Sequence, residues 1–523
     1  MGLIAQQWLV RGGSALRGSV RVAGSKYSAL AAIPAALLAE QPTHIGNAPD
    51  IRDTRDYCAL LGQMGARVQR QGCAILIDPR DAAFTPVSPE WAEGLRASYY
   101  MVGAQLGRWG RAEVGLPGGD RIGRRPIDLH VKVLRAMGAE VELDIPGRVI
   151  RARRTDRLQG ASIYLDTPSV GATAQAMICG VLARGETRIE NAYVAAFIVD
   201  LAELLNAMGA DVRGAGTQLI RIRGVQALHG AKHALIGDQA EAFTYLAAAA
   251  ASGGEVRVEG IEPAQLGSGL AKLSDAGAET FSGPGYVQVR GPARLRATDV
   301  TTGPLPSFYT DYQPPMAAAL ATAEGVSRVA ETVWPERFGY AEGLQAMGAQ
   351  VRRGSGSITI GGVRQLKGQR VVAAESRAAA AYVVAGICAE GVTRITGTEH
   401  LERVYSDLAG KLRALGVDIV EAPADGDAAA EAGGPEAPRV SVSLSLSTRL
   451  VAPMDDGRAA VAEADDPDDL PLAAASAGAG EVARPRNGHG LLPAGDFGRN
   501  DPALAPKAQP FGVLPAEDED GGD

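Results

Sequence analysis

Cysteine is nearly absent from the 523-residue chain: Cys58, Cys73, Cys179 and Cys388 are widely scattered and form no CxxC pair. Such spacing reads as core thiols in a reducing cytoplasm, not as a disulfide framework. No apolar run reaches the ~18 residues that a membrane span needs. The stretch from Met1 to Gly13 lacks the basic-then-apolar order of a signal peptide, so a cytoplasmic protein with no membrane partner is expected. Long Lys/Arg runs are missing too, and net charge is −8, which argues against a nucleic-acid partner. Aromatic residues make up only 5% of the chain, whereas Ala and Gly dominate, a composition suited to closely packed helices lying on sheets. The length allows two or three domains with a large core.

What the sequence does have is a repeat. Leu60-Leu61-Gly62-Gln63-Met64-Gly65-Ala66 returns as Leu134-Arg135-Ala136-Met137-Gly138-Ala139 and as Leu205-Asn206-Ala207-Met208-Gly209-Ala210. It appears again at Leu273–Ala278, Leu344–Ala349 and Leu412–Val417. The marker glycines recur about every 70 residues. Each phrase reads as the last turn of a helix with Gly in the left-handed position, followed by a short strand. A second phrase alternates with it, in which an Ala-rich helix gives way to a strand, as at Ala183–Ile189, Ala323–Val326 and Ala389–Ile395. Two helices and several strands per unit, six times over the first ~420 residues, predict an α/β protein of repeated modules. Beyond Glu421 the composition turns to Ala, Gly, Pro, Asp and Glu, which predicts a disordered acidic tail. Only Val440–Leu446 alternates there as a strand would.

Four segments put charge and glycine where packing needs neither. Lys26, in Gly24-Ser25-Lys26-Tyr27, opens an Ala-rich helix, where its charge opposes the macrodipole. It reads as a partner for a bound anion or as a solvated surface lysine. Leu116-Pro117-Gly118-Gly119-Asp120-Arg121-Ile122-Gly123-Arg124-Arg125 does not fit GxGxxG, which excludes the dinucleotide fingerprint. A glycine loop with one acid and following arginines suits an anionic substrate that also needs a proton donor, and equally an ordinary surface turn. Asp311 opens another Ala-rich helix, as an N-cap or as a base. Arg96, Arg337, Arg377 and Arg403 each stand near a helix start, where surface salt bridges would explain any one of them.

Together these segments resemble the UDP-N-acetylglucosamine 1-carboxyvinyltransferase family, sister to the 5-enolpyruvylshikimate-3-phosphate synthases. The likeness spans about residues 1–423. It is most specific at Pro117-Gly118-Gly119-x-x-Ile122-Gly123-x-Arg125-Pro126-Ile127-Asp128-Leu129-His130, with support from Arg96-Ala97-Ser98, Ser169-Val170-Gly171-Ala172-Thr173 and Thr310-Asp311. The resemblance implies a two-domain inside-out α/β barrel of six βαβαββ-type units. One domain would span 26–236 and the other 1–25 with 237–423, leaving 424–523 as tail. It implies transfer of the enolpyruvyl group of phosphoenolpyruvate to a hydroxyl of a uridine nucleotide by addition and elimination, with no cofactor and no metal. Lys26, Arg125 and Arg403 would hold phosphoenolpyruvate, with Arg96, Arg337 and Arg377 as supporting charges. Asp120 would be the acid and Asp311 would receive the hydroxyl proton. The stretch from Arg125 through Pro126, Ile127, Asp128 and Leu129 to His130 would line the uridine pocket, and Ser169, Val170 and Gly171 would lie near the nucleotide phosphates.

Departures from the family pattern matter as much. Asp120 stands where most members carry Cys; it would serve as a donor if its pKa rises on closure. It cannot form the thioether through which fosfomycin inactivates Cys enzymes, so resistance is expected. Tyr27 replaces the Asn of a Lys-Asn pair, Val194-Ala195-Ala196-Phe197 replaces Arg-Glu-Pro-Glu, and Trp334-Pro335 replaces Phe-Glu. The sugar side of the cleft is thereby rewritten. Two acceptors stay open, UDP-N-acetylglucosamine and the 3′-hydroxyl of UMP, the latter as in peptidyl nucleoside antibiotic assembly. Joint retention of Lys26, Asp120, Arg125, Asp311 and Arg403 argues against a non-catalytic nucleotide-binding relative. The uridine-pocket stretch argues against a shikimate-type acceptor.

Overall fold

The computed structural model describes residues 6–120, 122–123 and 126–423. Arg125, the tail from 424 and the strand expected at Val440–Leu446 lie outside the described residues.

Two kinds of helix alternate along the chain. Lys26–Ala35, Tyr100–Trp109, Val170–Gly180, Gln239–Ala251, Gln313–Leu320 and Ser376–Cys388 are buried on nearly every face. They are rich in Ala and apolar all round, so they offer water no face and take the centre of the core. Arg52–Gln63, Asp128–Ala136, Ala196–Ala207, Gly267–Asp275, Ala341–Ala346 and Leu408–Ala414 bury one stripe and expose the other. Each of this second group ends at a marker glycine, Gly65, Gly138, Gly209, Gly277, Gly348 or Gly416, with φ between 84° and 97°. The next residue's N–H then reaches back to the last helical turn, as Ala66 does to Leu61 O and Val417 to Leu412 O, both at 3.0 Å. A Cβ would be strained in that left-handed position, which is why the phrase needs glycine.

Among the described residues the strands form five four-stranded sheets, one three-stranded sheet and one two-stranded sheet. After most marker glycines an antiparallel hairpin follows, for example Arg67–Gln71 with Ala74–Asp78 and Gln350–Gly354 with Ser357–Gly361. The strands expected after the Ala-rich helices are present at Glu186–Glu190, Val326–Ala330 and Val392–Thr396. The last hairpin is replaced by a pairing of distant segments, in which Asp418–Pro423 runs antiparallel to Gln6–Arg11, Glu421 opposite Trp8.

Two hydrophobic cores result. One is built from residues between Ala29 and Leu235. The other joins Trp8, Val10, Leu16, Val20 and Val22 to residues between Ala240 and Ile419. Tyr27 and Leu305 pack against both. Asp238 also ties the halves: it caps Gln239–Ala251 through Ala240 N and Glu241 N, both 2.9 Å, and accepts from Lys26 N at 2.8 Å. One carboxylate thus serves two helix starts, where orphan N–H groups would otherwise go unpaired. No helix among the described residues is long and apolar enough to cross a membrane.

Candidate active site

The charged segments converge on two helix starts, Lys26-Tyr27 and Ser376-Arg377. Lys26 is the first residue of its helix and only 9% exposed, which excludes the solvated-lysine alternative. Its Nζ lies 2.8 Å from Asp53 Oδ2. Arg403 Nε donates to the other oxygen of Asp53 at 3.0 Å, and Arg403 Nη1 donates to Asp120 Oδ1 at 2.9 Å. The Ser376 hydroxyl donates to Asp120 Oδ2 at 2.7 Å. Both oxygens of the loop acid are therefore held, one by a cation and one by a neutral hydroxyl. Burial pushes the Asp120 carboxyl up, but the charges of Arg403 and Lys26 and the Ser376 hydrogen bond outweigh it and hold the group below the usual carboxylate range. With these cations so close, a proton-donor role for Asp120 would require its pKa to rise on closure.

The second group lies around Asp311. Arg337 Nη1 donates to Asp311 Oδ1 at 2.7 Å, and Arg377 Nη2 and the Tyr27 hydroxyl donate to Oδ2, each at 3.1 Å. Asp311 is not a helix cap, contrary to one reading of its position: it sits in the turn Thr310–Tyr312, and Tyr312 is the cap residue of Gln313–Leu320. Burial raises its pKa, but the two guanidiniums and their hydrogen bonds win and hold it far below the usual range. Arg337 and Arg377 are 4% and 2% exposed, so the surface-salt-bridge explanation fails for both. Glu375 steadies them, capping its helix through Arg377 N and Ala378 N at 2.8 Å each and lying 3.6 Å from Arg337 Nη2. Arg377 Nη1 and Arg337 Nε are buried with no hydrogen-bond partner among the described residues, donors suited to an incoming anion.

The uridine-pocket stretch forms a third group. Arg96 Nη2 donates to Pro126 O at 3.2 Å, and its guanidinium lies 5.5 Å from the Tyr99 ring centroid. Asp128 opens its helix and is exposed, Ile127 and Leu129 are half-buried, and His130 is buried. His130 Nδ1 pairs with Gln175 Oε1 at 2.8 Å, and its ring lies 4.0 Å from that of Tyr99. Desolvation pushes the imidazole down to about 3, so it is neutral and donates through Nδ1 to the amide oxygen. A Cβ on Gly171 would come within 2.7 Å of both His130 Nε2 and the Tyr99 hydroxyl, so only glycine fits there. Ser169 caps Val170–Gly180 through Ala172 N at 3.3 Å, and both Ser169 and Val170 are half-exposed. Trp334 lies in a loop ordered by Glu331, which accepts from Trp334 N at 3.0 Å; Glu336 of that loop faces Gly123.

Tyr27 and its neighbours make an aromatic wall beside Asp311. Tyr27 stacks on Phe197 at 5.2 Å, Phe197 on Tyr193 at 6.1 Å, and Tyr309 meets Tyr27 edge-on at 6.4 Å. Asp53, Glu375 and Ser376 were not singled out from sequence, because an acid in a first helical turn and a Glu-Ser pair at a helix start look like ordinary capping. Elsewhere, Asp200, Glu203 and His233 group three ligand-type atoms within 4.8 Å. His233 Nε2 and Ile236 N already engage Asp200, at 2.7 and 3.4 Å.

The model of the EPSP synthase (3-phosphoshikimate 1-carboxyvinyltransferase) family matches residues 10–412. The chain belongs to that family. UDP-N-acetylglucosamine 1-carboxyvinyltransferase 2 of Bacillus cereus is 43% identical over 415 residues, 79% of this chain and 96% of that protein. Among solved structures, the enolpyruvyl transferase NikO from Streptomyces tendae aligns with a TM-score of 0.73 at 26% identity, covering 80% of this chain and 100% of NikO. EPSP synthase from Acinetobacter baumannii shares the fold, with a TM-score of 0.64 at 19% identity over 80% of this chain and 100% of that one. The site thus brings two clamped carboxyls, Asp120 and Asp311, among arginine guanidiniums.

Proposed function

We propose that this protein transfers the enolpyruvyl group of phosphoenolpyruvate to a hydroxyl of a uridine nucleotide, releasing phosphate, as a UDP-N-acetylglucosamine 1-carboxyvinyltransferase. The observation that carries it is the pairing of Asp120, held by Arg403 and Ser376, with Asp311, held by Arg337, Arg377 and Tyr27. The acceptor oxygen adds to C2 while its proton passes to Asp311. C3 takes a proton from Asp120, giving a tetrahedral phosphorylated ketal. C3 then gives up a proton as the C–O bond to phosphate breaks, which restores the double bond on the new ether. Lys26, Arg403 and Arg125 bind the phosphoenolpyruvate anion in this reading, supported by Arg337 and Arg377. Arg96, Pro126 to His130, and Ser169 to Gly171 border the nucleotide.

Asp120 must be protonated to act as an acid, and the bound anion supplies the means. Its negative charge offsets Lys26 and Arg403, the cations that lower the Asp120 pKa, and leaves burial to raise it. Phosphoenolpyruvate binding is then coupled to proton uptake. The fold is read as six βαβαββ-type units in two inside-out domains, 26–236 and 1–25 with 237–423, which the two separate cores support. A cytoplasmic location accords with four free cysteines and with metabolite substrates.

A second reading is favoured by the wall of Tyr27, Phe197, Tyr193 and Tyr309. Buried sugar hydroxyls need polar partners, and this side of the site offers mainly ring faces. On that reading the acceptor is a smaller nucleotide such as UMP. Phosphate release from phosphoenolpyruvate, assayed in parallel with UDP-N-acetylglucosamine and UMP, decides between them. No release with either acceptor would sink the enzymatic reading and leave a nucleotide-binding relative.

A further inference from the structure

We infer that Ser376 is a positioning residue for Asp120: its hydroxyl ties Oδ2 of the loop acid and so leaves Oδ1 to carry the proton toward substrate. The inference rests on the reading of Asp120 as the acid.

Ser376 is 1% exposed and is fixed on both sides along the chain. Before it, Glu375 binds the N–H groups of Arg377 and Ala378; after it, Arg377 is locked to Asp311. The Ser376 Cβ is therefore aimed by the helix start itself, and its hydroxyl spans 256 residues of sequence to reach the glycine loop at 2.7 Å. An ionised carboxylate only accepts hydrogen bonds, so Ser376 donates.

The Arg403 and Ser376 holds on Asp120 respond differently to an anionic substrate. Arg403 is a cation that a phosphate or carboxylate competes for, so its bond to Oδ1 is the one released. Ser376 is a neutral, buried hydroxyl, for which an anion competes less strongly than for the Arg403 cation. When Asp120 is protonated, a proton on Oδ1 keeps the Ser376 bond as it stands, whereas a proton on Oδ2 requires the Ser376 hydroxyl to turn its hydrogen away and accept instead. The tie thus selects which oxygen carries the proton. Among the described residues, charged groups facing Asp120 include Arg403, Lys26, Arg337 and Glu375, from four separate segments. They set how readily the acid ionises, and the hydroxyl sets its aim.

The experiment is the pH profile of kcat for wild type, Ser376→Ala, Ser376→Thr and Asp120→Asn. The acid must be protonated, so kcat falls as pH rises through the Asp120 pKa in the complex. The Ser376 bond favours the carboxylate, so Ser376→Ala should move this basic limb up by about one pH unit and lower the maximal kcat about tenfold. Ser376→Thr should restore both. Should the Ala variant fold poorly, Ser376→Gly carries the same expectation, since the first helical position tolerates it. In an Asp120→Cys background, Ser376→Ala should change kcat by no more than about twofold, because a thiol is a weak acceptor. A wild-type limb in both Ser376→Ala and Ser376→Gly, with Asp120→Asn inactive, overturns this inference alone. An Asp120→Asn enzyme with full turnover overturns the reading of Asp120 as well.

Discussion

Tyr27 and Asp311 stand 284 residues apart in sequence, and the Tyr27 hydroxyl donates to Asp311 Oδ2 at 3.1 Å. A phenol therefore fills one acceptor position of the carboxylate expected to receive the substrate proton, and its ring, stacked on Phe197, narrows the space beside it. If this contact sets acceptor choice, Tyr27→Asn should raise the kcat/KM ratio of UDP-N-acetylglucosamine over UMP by about tenfold or more. Tyr27→Phe, which keeps the ring and loses the hydroxyl, should leave the ratio closer to wild type. An unchanged ratio in Tyr27→Asn would remove the wall from the specificity argument.

Asp120 lies in the glycine loop as an oxygen acid where a thiol would be alkylated. Incubation with fosfomycin should leave the intact mass of the protein unchanged and its phosphate release uninhibited by covalent capture. Asp120→Cys should gain one adduct, because a buried thiol beside Arg403 and Lys26 is drawn toward its reactive thiolate form. An adduct on the wild-type chain would show another nucleophile at work.

The sequence made the repeat legible because its cause is local. Each marker glycine is demanded by one left-handed residue, so the same phrase recurs wherever an outer helix ends. The glycine loop with Asp120 stood out for a related reason, since glycine and charge together serve no packing purpose. Asp53 was invisible. An acid in the first turn of Arg52–Gln63 is what the helix dipole favours anyway, and only the fold brings it to Lys26 and Arg403. Asp311 was found but given a local alternative, capping, that the structure does not bear out; its partners Arg337 and Arg377 are 26 and 66 residues away. Tertiary electrostatics has no signature in neighbouring residues.

Asp53 offers a direct test of that cluster. Its side chain is 2% exposed and answers two cations, so Asp53→Asn leaves buried positive charge and should cost about 3–5 kcal/mol of stability. An anion can stand in for the lost carboxylate. Phosphoenolpyruvate should therefore raise the melting temperature of Asp53→Asn by more than it raises that of wild type. Equal shifts would mean that the anion does not bind between Lys26 and Arg403.

His130 sets a stability prediction whose direction follows from its burial. Its folded pKa, about 3, lies below the unfolded value near 6.5, so the unfolded chain binds the extra proton first as pH falls. The stability it contributes is complete above the unfolded value and is lost progressively from there down to about pH 3. His130→Asn keeps a donor for Gln175 Oε1 but carries no titrating group, so its melting temperature should fall less steeply over that window. Burial is the main reason the imidazole stays neutral, and the nearby Arg96 guanidinium, which donates to Pro126 O, adds to the cost of charging it. Thermal denaturation of both proteins from about pH 7 to about pH 3.5 measures the difference. Parallel curves would mean that His130 becomes protonated at no cost, which the Tyr99 and Gly171 packing around Nε2 leaves no room for.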